Sequence, residues 1–323
     1  MAFTQCERAI YLFCAPLNQT RTTPLTVAEW HIVREMLEEH RAQPKQLLTS
    51  TLALPERIAQ KITARQQLGL ALYELESAIH KGYRIMFDYA MPRRILRVPR
   101  NARPPYLYYV GDLSLCAMPS VLAVFQTELL VQLEPHTIMT PYYDEHVASY
   151  LQRGGRVIIT ADEGLNFWTR QHQIRRFIQQ GQLLITTLQP VSTTGQPTTD
   201  YFTLCQWLAD AVLISDTPLD GELFERVVAN CEHQWSTIYV TGTGEAIDAL
   251  TQTAQATPFT TMDAVRKGHR TNEPARFAEL VQLLTPTTLP AWQTALHDAL
   301  AEASKHASKD ELSAAIHAYF TQS

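Results

Sequence analysis

A chain of 323 residues, 46% of them hydrophobic, is long enough for one full α/β domain plus a smaller attachment, because domains usually run about 100 to 200 residues. No stretch approaches the roughly 18 consecutive apolar residues that span a bilayer, and the run from Ala9 to Leu17 is too short for a signal peptide, so a cytoplasmic protein with no membrane role is expected. The net charge of -5 conceals an asymmetry: through Gly111, 15 Lys and Arg face 9 Asp and Glu (+6), whereas from Asp112 onward 12 face 23 (-11), so a polyanion would be steered to the N-terminal third.

From Leu25 to Gly82 the pattern is helical. Thr26 followed by Glu29 forms a capping box, and Trp30, Val33 and Leu37 recur at helical spacing to about His40. Pro44 interrupts the pattern, Pro55 starts a second helix, and a third runs from Ala64 to His80 with Gly82 as its terminator. Arg84 to Phe87 reads as a short strand. Then Pro92, Pro99, Pro104 and Pro105 forbid a regular helix.

Beyond Tyr106 short apolar runs alternate with helical stretches: Tyr106 to Val110, Val121 to Phe125, Val157 to Ala161, Leu183 to Thr187, Ala211 to Ser215 and Thr237 to Thr241. Such alternation predicts an α/β fold, a doubly wound, mainly parallel, Rossmann-like sheet covered on both faces. The expected divisions are an N-terminal helical lobe (1–82), a basic proline-rich connection (83–105), the sheet domain (106–255) and a helix-rich C-terminal region (256–323), for which a degraded winged helix is one reading.

Cys6, Cys14, Cys116, Cys205 and Cys231 include no Cys-x-x-Cys pair, which argues against a zinc site or a disulfide framework and for reduced, mostly buried thiols. Gly-x-Gly-x-x-Gly, the Walker A loop, Gly-x-Ser-x-Gly and His-Glu-x-x-His are all missing, so neither a cofactor nor a metal is expected, nor an enzyme. The densest basic cluster is Arg93, Arg94, Arg97, Arg100 and Arg103, within eleven residues that contain no acid. Two readings stand side by side. The arginines contact nucleic-acid phosphates, with Tyr106, Tyr108 and Tyr109 as stacking faces, or they pair with the acidic C-terminal part.

Read in order, Pro24-Leu-Thr-Val-Ala-Glu-Trp30, Gly82-Tyr-Arg-Ile-Met86, Pro92, Leu96 and Pro104-Pro-Tyr-Leu-Tyr-Tyr-Val-Gly111-Asp-Leu-Ser-Leu115 resemble the DNA-processing protein A (DprA/Smf) family of the Rossmann-like SLOG superfamily. The resemblance spans about residues 10 to 250 and is strong to residue 115. It implies a non-enzymatic protein that binds single-stranded DNA and loads a RecA-type recombinase in natural transformation, with a homodimer among the expectations. The family's Val-Gly-Ser-Arg turn has become Val124-Phe-Gln-Thr127, and its Ser-Gly-x-Ala-x-Gly-x-Asp has become Ile159-Thr-Ala-Asp-Glu-Gly-Leu-Asn166. Its Arg-Asn-Arg falls opposite Tyr201-Phe-Thr203, ahead of a well-preserved Leu208-Ala-Asp-Ala-Val-Leu-Ile214.

The resemblance thus places a degenerate ligand pocket at Gln126, Thr127, Thr160, Gly164, Asn166, Gly221 and Gly242, where Asp162 and Glu163 would repel phosphate. The alternative is a SLOG-type sensor of nucleotide-derived ligands, or an interaction subunit that binds no DNA.

Overall fold

The computed structural model describes residues 3–17, 22–50, 52–66, 71–87, 91–92, 94–95, 98, 100–161, 165–187, 201–233, 236–253 and 256–265. The expected C-terminal helices and winged helix therefore lie almost wholly outside the described residues, as do Arg93, Arg97 and Gly164. Met1–Phe259 form one compact unit and Thr260–Ser323 a second. The helical segment to residue 82 and the sheet residues belong to the same first unit.

Helices α1 (Gln5–Cys14) and α2 (Val27–Glu39) both start on capping boxes, Thr4 with Glu7 and Thr26 with Glu29. The second was legible in the sequence; the first was not. α3 (Glu56–Gln66) and α4 (Ala71–His80) pack against α1. Arg65 of α3 is fully buried, donating through Nε to the Leu12 carbonyl (2.7 Å) and through Nη2 to that of Ala15 (2.5 Å). A cation there meets the negative end of the α1 dipole.

Among the described residues nine strands form one sheet: β1 (Arg84–Phe87), β2 (Tyr106–Gly111), β3 (Leu122–Val124), β4 (Thr137–Thr140), β5 (Arg156–Thr160), β6 (Leu183–Thr187), β7 (Ala211–Ile214), β8 (Thr237–Val240) and β9 (Thr257–Pro258). Their order is β1-β2-β6-β5-β4-β3-β7-β8-β9. β2 runs antiparallel to both its neighbours and every other pairing is parallel, so the doubly wound, mainly parallel sheet is as expected. β4 has no counterpart among the strands read from the sequence. Among the described residues two helices lie between β5 and β6.

The connecting helices are α5 (Glu145–Gln152), α6 (Leu165–Thr169) and α7 (His172–Gln179) on the β4-β5-β6 side, then α8 (Tyr201–Leu208), α9 (Glu222–His233) and α10 (Glu245–Thr253). Right-handed crossovers that first step one way along the sheet and then the other put these two sets on opposite faces. Met139, Ile158, Leu184, Val212 and Ile238 share one core with Cys205 and Leu208 of α8 and Val227 of α9. Met91, Ile95 and Val98 join the same core, which anchors the proline-rich segment to the sheet.

Gly111 explains why the strongest motif of the chain carries a glycine. Its φ is +109°, and a Cβ there would stand 2.1 Å from the Leu183 carbonyl oxygen, so no other residue lets β2 and β6 approach.

Candidate functional site

In an open α/β sheet ligands bind outside the carboxyl ends of the strands, where the winding direction reverses. Here that point lies between β3 and β7, which are adjacent and parallel while their connections leave in opposite directions. The residues at the mouth are Gln126 and Thr127 after β3, and Ser215 and Asp216 after β7.

The crevice is bridged by its own side chains. The Gln126 amide spans it, accepting at Oε1 from the Ser215 N–H (2.7 Å) and donating from Nε2 to the Asp216 carbonyl (3.0 Å). The Thr127 hydroxyl donates to Asp144, the N-cap of α5, whose other oxygen accepts from Val147 N–H (3.0 Å). Gly242, at φ +90°, sits beside the Ser215 side chain, and Gly221 donates to the Pro218 carbonyl (3.0 Å) in the loop before α9. The Thr160 hydroxyl turns away to the Tyr201 carbonyl (3.1 Å). Asn166 lies on α6, and its side chain is outside the described residues.

Carboxylates already occupy the helix ends that a phosphate would seek. Asp216 lies so close to the start of α10 that a Cβ on Gly244 would meet its Oδ1 at 2.1 Å, and Glu245 and Asp248 occupy the first turn of that helix. Glu222 and Glu225 do the same at α9. The adjoining open groove of about 370 Å³ is lined by Asp216, Thr217, Pro218, Leu219, Glu245 and Ala246. The N-termini of α5, α9 and α10 thus meet negative charge supplied by the chain itself, which disfavours phosphate at those three ends.

The basic segment divides. Arg94 is buried and bonded to Asp210, with Nε at 2.9 Å and Nη2 at 2.5 Å from Oδ2. It also donates to the Met118 carbonyl (2.5 Å) and to that of Cys116, while the same Asp210 oxygen accepts from Val121 N–H (2.9 Å). Arg94 therefore follows the pairing reading: its guanidinium joins the proline-rich segment to β3 and the start of β7 and is not presented to solvent.

Arg100 is exposed, with Nη1 3.2 Å from Glu38 of α2, and Arg103 donates to the Val98 carbonyl (2.7 Å). Tyr106, Tyr108 and Tyr109 do not serve as stacking faces. All three are buried, and the Tyr108 hydroxyl donates to that of Tyr11 (2.9 Å) on α1. Burial pushes the Tyr106 phenol well above its ordinary value and the Cys116 thiol up to about 12, despite nearby Arg94, which marks both as packing groups.

The fold has solved counterparts. The X-ray structure of DNA processing protein A (DprA) from Streptococcus pneumoniae superposes with a TM-score of 0.56 at 16% identity, covering 81% of this chain and 96% of that one. The chain carries a DprA-like fold. A structure of DprA from Helicobacter pylori, described for its single-stranded DNA binding mode, matches at 16% identity and a TM-score of 0.43 over 58% of this chain and 94% of that one. No protein-family profile and no curated protein matches the sequence. The DprA-like resemblance drawn from Pro104 to Leu115 is thus met by the fold, while the sequence itself has diverged.

Sequence reasoning passed over Asp210 and Asp216, which neutralise Arg94 and the α10 terminus. It also passed over Arg170, Arg175 and Arg176, for which a signal existed: no acid occurs between Glu163 and Asp200.

Proposed function

We propose that the chain is a non-enzymatic cytoplasmic DNA-transaction protein that binds single-stranded DNA and delivers it to a RecA-type recombinase in natural transformation or recombination, as a monomer or a homodimer. The observation that carries this reading is the DprA-like fold over 81% of the chain. The positive balance of the residues through Gly111 supports it, because phosphate contacts dominate single-strand affinity. The contacts assigned are Arg100 and Arg103 together with Arg93 and Arg97. Arg94 is excluded by its burial against Asp210.

Fluorescence anisotropy with a labelled oligothymidylate at about 50 and 200 mM salt tests the proposal, with affinity expected to fall steeply between the two. Absence of binding at the lower salt sinks it. The second reading, an interaction subunit that binds no DNA, is favoured by the bridged crevice and would then stand. A nucleotide sensor is disfavoured by the same bridge and by Asp216 at the α10 terminus.

A further inference from the structure

We infer that the outer surface of α6 and α7 is a second contact for the same single strand, with arginines on its phosphates and Phe167 stacked on a base. This rests on the DNA-binding reading and adds a surface that the basic proline-rich segment does not include. α7 is strongly two-sided. Ile174 and Phe177 are buried against the sheet, whereas His172, Gln173, Arg175 and Arg176 are exposed, as is Arg170 at its entry.

Arg170, Arg175 and Arg176 make no ion pair among the described residues, in contrast to Arg94, Arg100 and Arg226, which do. No acid lies in the sequence from Leu165 to Gln182. The guanidinium groups therefore keep their full charge toward solvent, within a part of the chain whose overall balance is negative.

Phe167 supplies the second, independent observation. It is 52% exposed, and its ring stands edge-on to buried Trp168, 5.4 Å between centroids. Trp168 is in turn held edge-on by Tyr143 at 6.0 Å. An exposed phenylalanine on so short a helix costs solvation, and the rigid ring behind it fixes its orientation. An oriented aromatic face near arginines that make no ion pair among the described residues is the composition that single-strand binders use: stacking tolerates any base while the cations track the backbone.

Two variants test the surface: Arg170→Ala/Arg175→Ala/Arg176→Ala and Phe167→Ala, each with its melting temperature checked against wild type. The triple variant is expected to flatten the salt slope for oligothymidylate by about 2, from about 0.7 per phosphate contact. Phe167→Ala is expected to weaken oligothymidylate binding about tenfold and to leave binding of an abasic oligonucleotide unchanged. If wild type binds oligothymidylate while both variants keep its affinity and slope, this inference falls and the DNA reading survives. If wild type binds neither probe, both fall together.

Discussion

At the scale of single residues, the two polar clusters of the site are structural. Arg94 and Asp210 are buried and multiply hydrogen-bonded, and removing one partner strands the other without water. Arg94→Ala is expected to cost about 3 to 5 kcal/mol in urea unfolding, whereas Arg100→Ala, whose pair with Glu38 is exposed, should shift stability by less than about 1 kcal/mol. Equal effects of the two would contradict the assignment. Gln126 carries a smaller load of the same kind. Gln126→Ala removes the acceptor of the Ser215 N–H and the donor to the Asp216 carbonyl, and a loss of about 1 to 3 kcal/mol is expected, read as a lower urea midpoint at unchanged slope.

At the scale of elements, the entry of α2 ties capping to charge. Glu29 closes the capping box on the Thr26 N–H (2.9 Å) and accepts from Lys61 Nζ of α3 (2.7 Å). Burial pushes its carboxyl up, but the Lys61 and Thr26 hydrogen bonds and the Lys61 charge together hold it below the usual 4.5. A carboxyl lowered on folding contributes stability that is fully present above 4.5 and is lost as the pH falls through the folded value. Glu29→Gln is therefore expected to lower the melting temperature at pH 7 and to show a smaller drop than wild type between pH 7 and pH 3. Parallel melting curves for the two proteins across that range would count against it.

Elements were legible where one physical signal dominated. Thr26-x-x-Glu29 announced α2, and short apolar runs such as Val157-Ile-Ile159 announced β5 and its neighbours. β4 escaped because Thr137-Ile-Met-Thr140 is half hydroxylic; its threonines are buried by the parallel pairing with β5, which no local pattern reveals. The site was harder for the same reason. That Arg94 meets an acid 116 residues away, and that Tyr106 and Tyr108 close on Tyr11, depend on the fold having formed.

At the scale of the whole molecule, the fold and the charge pattern separate two ligands that the scaffold alone would not. A sheet of this winding offers phosphate a place at its switch point, but here Gln126 bridges the crevice and Asp216, Glu245, Glu222 and Asp144 answer the helix dipoles. A mononucleotide concentrates its charge at one point and needs that crevice. A single strand spreads its charge over many phosphates and can be held by dispersed arginines with no crevice at all. Since a ligand that binds only the folded state stabilises it by RT ln(1 + [L]/Kd), melting temperature distinguishes the two. Oligothymidylate is expected to raise it at low salt and to lose that effect as salt is added, while adenosine monophosphate, at a large excess over protein, is expected to leave it unchanged and to leave oligothymidylate binding undiminished. A saturable rise with the mononucleotide would show that a phosphate site persists despite the carboxylates and would favour the sensor reading over the DNA reading.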